Sequence, residues 1–107
     1  MNQGSVGAMV NVLTQDELDT ELQTIPGWAG DTNAIARTFA APEFLTGIRF
    51  TSAVADAAEQ ANHHPDIDIR WRKVTMRLAT HSEGGVTGKD VELARQIDMI
   101  ASQHGCD

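Results

Sequence analysis

Apolar residues recur along this chain at two spacings, and the points where one gives way to the other mark the elements. Around Leu13 to Ile25 the spacing is helical, with Leu18, Leu22 and Ile25 on one face. Thr14 is a candidate N-cap, Glu17 stands three residues on to complete a capping box, and Leu13 and Leu18 occupy the two positions of a hydrophobic staple. Pro26 and Gly27 stop this helix. A Gly-Asp-Thr-Asn cluster at 30–33 then separates two short segments, the second alternating through Ile35, Arg37 and Phe39, which predicts a hairpin. From Glu43 to about Asn62, Phe44, Leu45, Ile48, Val54, Ala55, Ala58 and Ala61 cover more than one helical face, as a helix laid on a sheet requires. Pro65 disfavours helical geometry at His64, so this long helix is predicted to end at the pair His63-His64. Ile67, Ile69 and Trp71 next alternate with charged residues, followed by Val74, Met76 and Leu78. The switch from odd to even apolar positions predicts a tight turn near Arg72 and Lys73. After the glycine-bearing stretch THSEGGVTGKD, Thr87 caps a last helix whose buried face holds Leu93, Ala94, Ile97 and Ala101. The order αββαββα predicts a single α+β domain, a four-stranded antiparallel sheet with helices packed on one face.

Length and charge narrow the possibilities. With 107 residues the chain suits one domain, taken as residues 11–104, and the first ten residues lack periodicity and are expected to form a disordered leader. Eight basic against fifteen acidic residues give a net charge of −7, and no segment gathers the Lys/Arg cluster that a phosphate backbone needs, which argues against direct nucleic-acid binding. No apolar run approaches the roughly 20 residues of a membrane span, and the N-terminus lacks the features of a signal peptide. A cytoplasmic protein without membrane association is the expectation. The one cysteine, Cys106, has no partner for a disulfide or a cysteine-based zinc site and reads as an incidental exposed thiol; His104 reads as part of a frayed tail.

The candidate chemistry lies in histidines. His63 and His64 close the long helix and His81 closes the last strand, so an αββαββα fold is able to bring all three to one rim of the sheet. Strand parity groups His81 with Thr75, Arg77 and Ala79, away from the core. Glu59 precedes His63 by four residues, which stacks them on one helix face and casts Glu59 as the carboxylate orienting His63. Adjacent residues in an extended exit diverge, so His63 and His64 are expected to serve different roles. Imidazoles titrate near pH 6.5 when unperturbed, and a well-placed one supplies about 10² to 10⁴ in rate as an acid or base. Blander readings stand beside this one. A His-His-Pro triplet also serves as a solvated helix cap and linker. A metal site of His63, His64, His81 and a carboxylate is a further option, though no H-x-x-x-H spacing supports it. Asp90 stands at N3 after Thr87, where a favourable interaction with the helix N-terminus is worth about 0.3 to 1 kcal/mol. Trp28 suits a core position as well as a ligand platform.

Glu59, three residues, His63-His64-Pro65, five residues, Trp71, nine residues, His81, eight residues, Asp90: this pattern resembles the signature of the pterin-4a-carbinolamine dehydratase family. The segments GW at 27–28, NHHPDIDIRW, THSEGGVTGKD and LARQID are similar to that family's, in the same order, and the likeness runs from about residue 12 to residue 103. The resemblance implies the αββαββα fold and dehydration of a 4a-hydroxytetrahydropterin to the quinonoid dihydropterin, in recycling of a tetrahydrobiopterin-type cofactor, with no metal and no organic cofactor. It implies His63, His64 and His81 as catalytic residues, Glu59 and Asp90 as supporting carboxylates, and Trp28 as a wall of the pocket. His63 and His81 are taken as the proton-transfer pair and His64 as an orienting and binding group. A homodimer or homotetramer is implied, and an aromatic amino-acid hydroxylase is raised as a protein partner. The competing reading is a non-catalytic dehydratase-like binding or assembly module, which would be expected to lack part of the histidine set.

Overall fold

The computed structural model describes residues 11–107, and the leader expected over residues 1–10 lies outside the described residues. Three helices and four strands follow in the predicted order: α1 Gln15–Thr24, β1 Ala29–Asp31, β2 Ala34–Ala40, α2 Phe44–Ala61, β3 Asp66–Arg70, β4 Lys73–Leu78 and α3 Gly88–Gln103, with a 3-10 turn at His81–Glu83 before α3. The predicted Thr14–Glu17 capping box forms, and Thr87, predicted as a cap, forms a second box with Asp90.

All strand pairs are antiparallel, in the order β1-β2-β4-β3. Register explains why one face of the sheet is greasy. Ile35 pairs with Leu78 and Phe39 with Val74, while Ile67 pairs with Met76 and Ile69 with Val74, so the apolar rows of three strands coincide. Ile35, Phe39, Val74, Met76 and Leu78 of these rows meet Phe50, Val54, Leu93, Ala94 and Ile97 of the helices in one core, with Ile69 packed against it and Ile67 left exposed at the edge. The opposite face is polar: Thr38 and Thr75 face each other with hydroxyl oxygens 2.8 Å apart, and Asp66 pairs with Arg77.

Arg37 interrupts the apolar row of β2, and its environment explains Gly27. The guanidinium meets Asp98 at 3.0 Å and lies 4.5 Å from the Phe39 ring centroid. A Cβ on Gly27, whose φ is +102°, would fall 2.8 Å from Arg37 Nε.

Four expectations are corrected. The β3–β4 turn falls on Trp71 and Arg72, because Arg70 and Lys73 are the last paired residues; Trp71 leaves the strand with φ +55° and is 72% exposed. The buried face of α2 runs through Gly47, Phe50, Val54 and Ala58, which turns Phe44, Leu45 and Ile48 outward. His104 is not frayed: it follows α3 directly, and its Nδ1 donates to the Ile100 carbonyl at 2.9 Å. Gly105, at φ +70°, turns the chain back, and the Asp107 amide donates to the Ala40 carbonyl at 2.9 Å. Cys106 is buried by this tail rather than exposed, and burial, with the adjacent Asp107 charge, pushes its thiol pKa up.

Candidate active site

The end of α2 determines where the adjacent histidines go. Asn62 adopts the left-handed conformation, φ 51° and ψ 43°, which asparagine tolerates better than most residues. Its amide donates to the Glu59 carbonyl at 3.2 Å and the His63 amide to the Ala58 carbonyl at 3.1 Å, the paired bonds of a Schellman cap. The helix is thus closed before His63, and the chain reverses across it.

His63 then meets α3. Its Nε2 lies 2.5 Å from Oδ1 of Asp90, and the two side chains are 11% and 0% exposed. Asp90 is held from behind by two donors on its other oxygen: Oδ2 accepts from the Thr80 hydroxyl at 2.8 Å and from the Thr87 amide at 2.9 Å. The Thr80 and Thr87 hydroxyls are themselves 2.8 Å apart, and Thr87 Oγ1 accepts from the Lys89 amide at 3.2 Å. Among the described residues no buried side-chain nitrogen or oxygen lacks a partner. Satisfied in this way, a buried polar cluster is rigid rather than costly.

His64 takes the other direction. Its Nε2 lies 2.7 Å from Oε2 of Glu59, with the pair 54% and 76% exposed. The expected partnership of Glu59 with His63 is therefore corrected. The left-handed residue 62 removes the helical turn on which the four-residue stacking depended, and the reversal brings His64, five residues on, back over Glu59.

His81 opens the 3-10 turn and is exposed, on the polar side that parity predicted. A bridge between Thr80 and Gly85 closes its loop. Gly85 admits no side chain, since a Cβ there would lie 2.5 Å from the Thr32 carbonyl oxygen. His81 lines a depression of about 270 Å³ with Asp66, Arg77 and Ala79, while His63 lines another of about 160 Å³ with Ala61, Lys89 and Leu93. The link between them is short: Thr80, hydrogen-bonded to Asp90 behind His63, is the residue before His81.

Trp28 is not among these residues. It is buried, meets Phe39 edge-on at 6.3 Å between centroids, and donates its indole N–H to Asp98 at 2.9 Å. Asp98 lies eight residues beyond Asp90, about 12 Å along α3. Two features were missed in the sequence and had a signal there. Thr80 continues the even parity of Val74, Met76 and Leu78, so it is a polar side chain on the core side of its strand; Arg37 is a charge in an apolar row. Each pattern asks for a buried partner.

Comparison with known proteins identifies the family and supports the fold. The profile of the family described as pterin 4 alpha carbinolamine dehydratase matches residues 11–100. A Nocardia farcinica protein that carries a provisional pterin-4-alpha-carbinolamine dehydratase name is 51% identical over 90 residues, 84% of this chain and 95% of that one. A similarly named Roseiflexus castenholzii protein is 51% identical over 92 residues, 86% of this chain and 99% of its own. Among solved structures, a transcriptional coactivator/pterin dehydratase from Brucella melitensis superposes with a TM-score of 0.82 at 38% identity, covering 85% of this chain and 99% of that one. A pterin dehydratase-like RuBisCO assembly factor of the alpha-carboxysome shares the fold, with a TM-score of 0.57 at 21% identity over 69% of this chain and 86% of its own.

Proposed function

Because the chain belongs to the pterin 4 alpha carbinolamine dehydratase family, we propose that it converts a 4a-hydroxytetrahydropterin to the quinonoid dihydropterin and water, in recycling of a tetrahydrobiopterin-type cofactor. The observation that carries this reading is the His63–Asp90 pair, an imidazole seated on a buried carboxylate beside a second, exposed imidazole–carboxylate pair.

The reaction needs one proton delivered and one removed. An acid protonates the hydroxyl on carbon 4a, which leaves as water, and a base takes the proton from nitrogen 5 as the C=N bond of the quinonoid product forms. Atoms and charge balance without a redox step, so two imidazoles suffice and neither metal nor organic cofactor is called for. His63 and His81 are the proton-transfer pair of this proposal. His64, with Glu59, orients and binds the pterin, and Asp90 supports His63.

Among the described residues no helix is long and apolar enough to cross a membrane. The proposal includes a cytoplasmic location, a homodimer or homotetramer, and an aromatic amino-acid hydroxylase as the source of the carbinolamine. The exposed apolar side chains of Phe44, Leu45 and Ile48 are consistent with assembly.

The test is dehydration of freshly generated 4a-hydroxytetrahydropterin by purified protein, before and after exhaustive chelation. Acceleration over the spontaneous reaction, unchanged by chelation, is the expected result. No acceleration by folded protein would favour the non-catalytic module, and a stoichiometric transition metal whose removal abolishes turnover would favour the metal site.

A further inference from the structure

Asp90 decides more than the position of His63. The Thr87 amide and the Thr80 hydroxyl reach the same oxygen of Asp90, Oδ2, and the amide is a donor without alternative. The hydroxyl proton of Thr80 has a defined direction as well. The Asp90 carboxylate oxygen can only accept, so the single Thr80 hydroxyl proton goes to it, and the Thr87 hydroxyl, which accepts from the Lys89 amide, donates its own proton to Thr80 Oγ1. Every donor in this buried chain points toward the carboxylate. His63 Nε2 meets the remaining oxygen, Oδ1, and facing an acceptor it presents N–H. When the ring is neutral, its lone pair is then on Nδ1.

We infer that Thr80 and Thr87 are positioning residues that, acting through Asp90, hold His63 as the Nε2–H tautomer, so that Nδ1 is the nitrogen exchanging protons in the reaction. The tautomer follows from the hydrogen-bond network alone; its catalytic consequence rests on the dehydratase reading. Thr80 has a second effect. Its backbone closes the Gly85 bridge and its carbonyl accepts from the Glu83 and Gly84 amides, so one residue sets both the partner of His63 and the turn that carries His81. Nothing comparable backs Glu59, so the exposed His64–Glu59 contact stands on one hydrogen bond alone.

The same network makes an unusual prediction for Asp90→Asn, a substitution that preserves volume. The Thr80 and Thr87 donors require an oxygen at the Oδ2 position, which turns the new amide NH₂ toward His63 Nε2. His63 then accepts at Nε2 and carries its proton on Nδ1. The working nitrogen is thereby blocked without loss of any side chain.

Nitrogen-15 NMR of the imidazoles, at a pH high enough that the ring signals no longer move, reads the tautomer directly. Wild-type protein is expected to show His63 as Nε2–H, and Asp90→Asn to show it as Nδ1–H with turnover reduced roughly 100-fold or more. Thr80→Val should give a mixture of tautomers and about a tenfold loss in kcat with KM nearly unchanged, and Thr80→Ser should restore both. An Nδ1–H signature in the wild-type protein overturns the inference even if no variant folds. So does an unchanged His63 signature in folded Asp90→Asn. The expected tautomers in a protein that fails to accelerate dehydration would sustain the network and sink the proposed function.

Discussion

The Nε2 atoms of His63 and His64 lie 2.5 and 2.7 Å from carboxylate oxygens, yet the two pairs differ in almost every other respect. Asp90 is fully buried, accepts from a hydroxyl and an amide besides the imidazole, and belongs to the cap of α3. Glu59 is 76% exposed on the last turn of α2, and His64 is 54% exposed. An exposed ion pair contributes about 0 to 1 kcal/mol, because water and salt screen it and two mobile side chains must be held in place. Removing one partner of a buried pair costs about 3 to 5 kcal/mol, since the group left behind is desolvated and unpaired. Distance therefore says little about how firmly an imidazole is held; burial and the donors behind its partner say more. On this account His63 is the preorganised group and His64 the adaptable one.

The contrast is broken most severely at Asp90. Asp90→Ala strands the Thr80 hydroxyl, the Thr87 amide and His63 at once, and urea unfolding should show a loss of about 3 kcal/mol or more. The 0.3 to 1 kcal/mol expected from the helix N-terminus alone is too small, because that figure applies to an exposed carboxylate. A loss below about 1 kcal/mol would show that the pair is held no better than Glu59 and His64.

At His81 the effect should fall on turnover rather than stability, because the side chain is exposed. His81→Ala should lower kcat by roughly 10², and combining it with His63→Ala should fall well short of the product of the two losses, as expected for groups that act as one unit. Multiplicative losses in steady-state kinetics would separate the two histidines functionally.

Glu59→Gln should produce the smallest change. Thermal and urea unfolding should move by less than about 0.5 kcal/mol, and kcat should stay within about twofold. A larger loss in kcat would mean that the exposed pair positions a catalytic proton after all.

Much of this arrangement is legible in the residues. The two periodicities mark six of the seven elements, while β1, three exposed residues that include Gly30 and Asp31 of the expected turn cluster, has no period of its own; Thr14 with Glu17 and Thr87 mark two helix starts because caps are local. The spacing of Glu59, the histidines and Asp90 identifies the group. Which carboxylate meets which histidine was not legible, since it depends on one left-handed residue, Asn62, and periodicity carries no information about the sign of φ. The Trp71 turn was misplaced by one residue for a related reason: an exposed tryptophan in the left-handed conformation mimics the apolar parity of a strand. The tail at 104–107 is short and polar in composition, and only its contacts with Ala40, Ile100 and Ala101 reveal that it packs. Trp28 was open to two readings, and its bond to Asp98 spans 70 residues, beyond what local pattern reports.

The most direct test of the central claim compares His63→Ala and His64→Ala in the same assay, with kcat and KM determined separately on freshly generated 4a-hydroxytetrahydropterin. His63→Ala should lower kcat by roughly 10² or more, and His64→Ala should act mainly by raising KM with a smaller loss in turnover. Equal losses in kcat with unchanged KM would contradict the account, because the buried and the exposed pair would then be doing the same work.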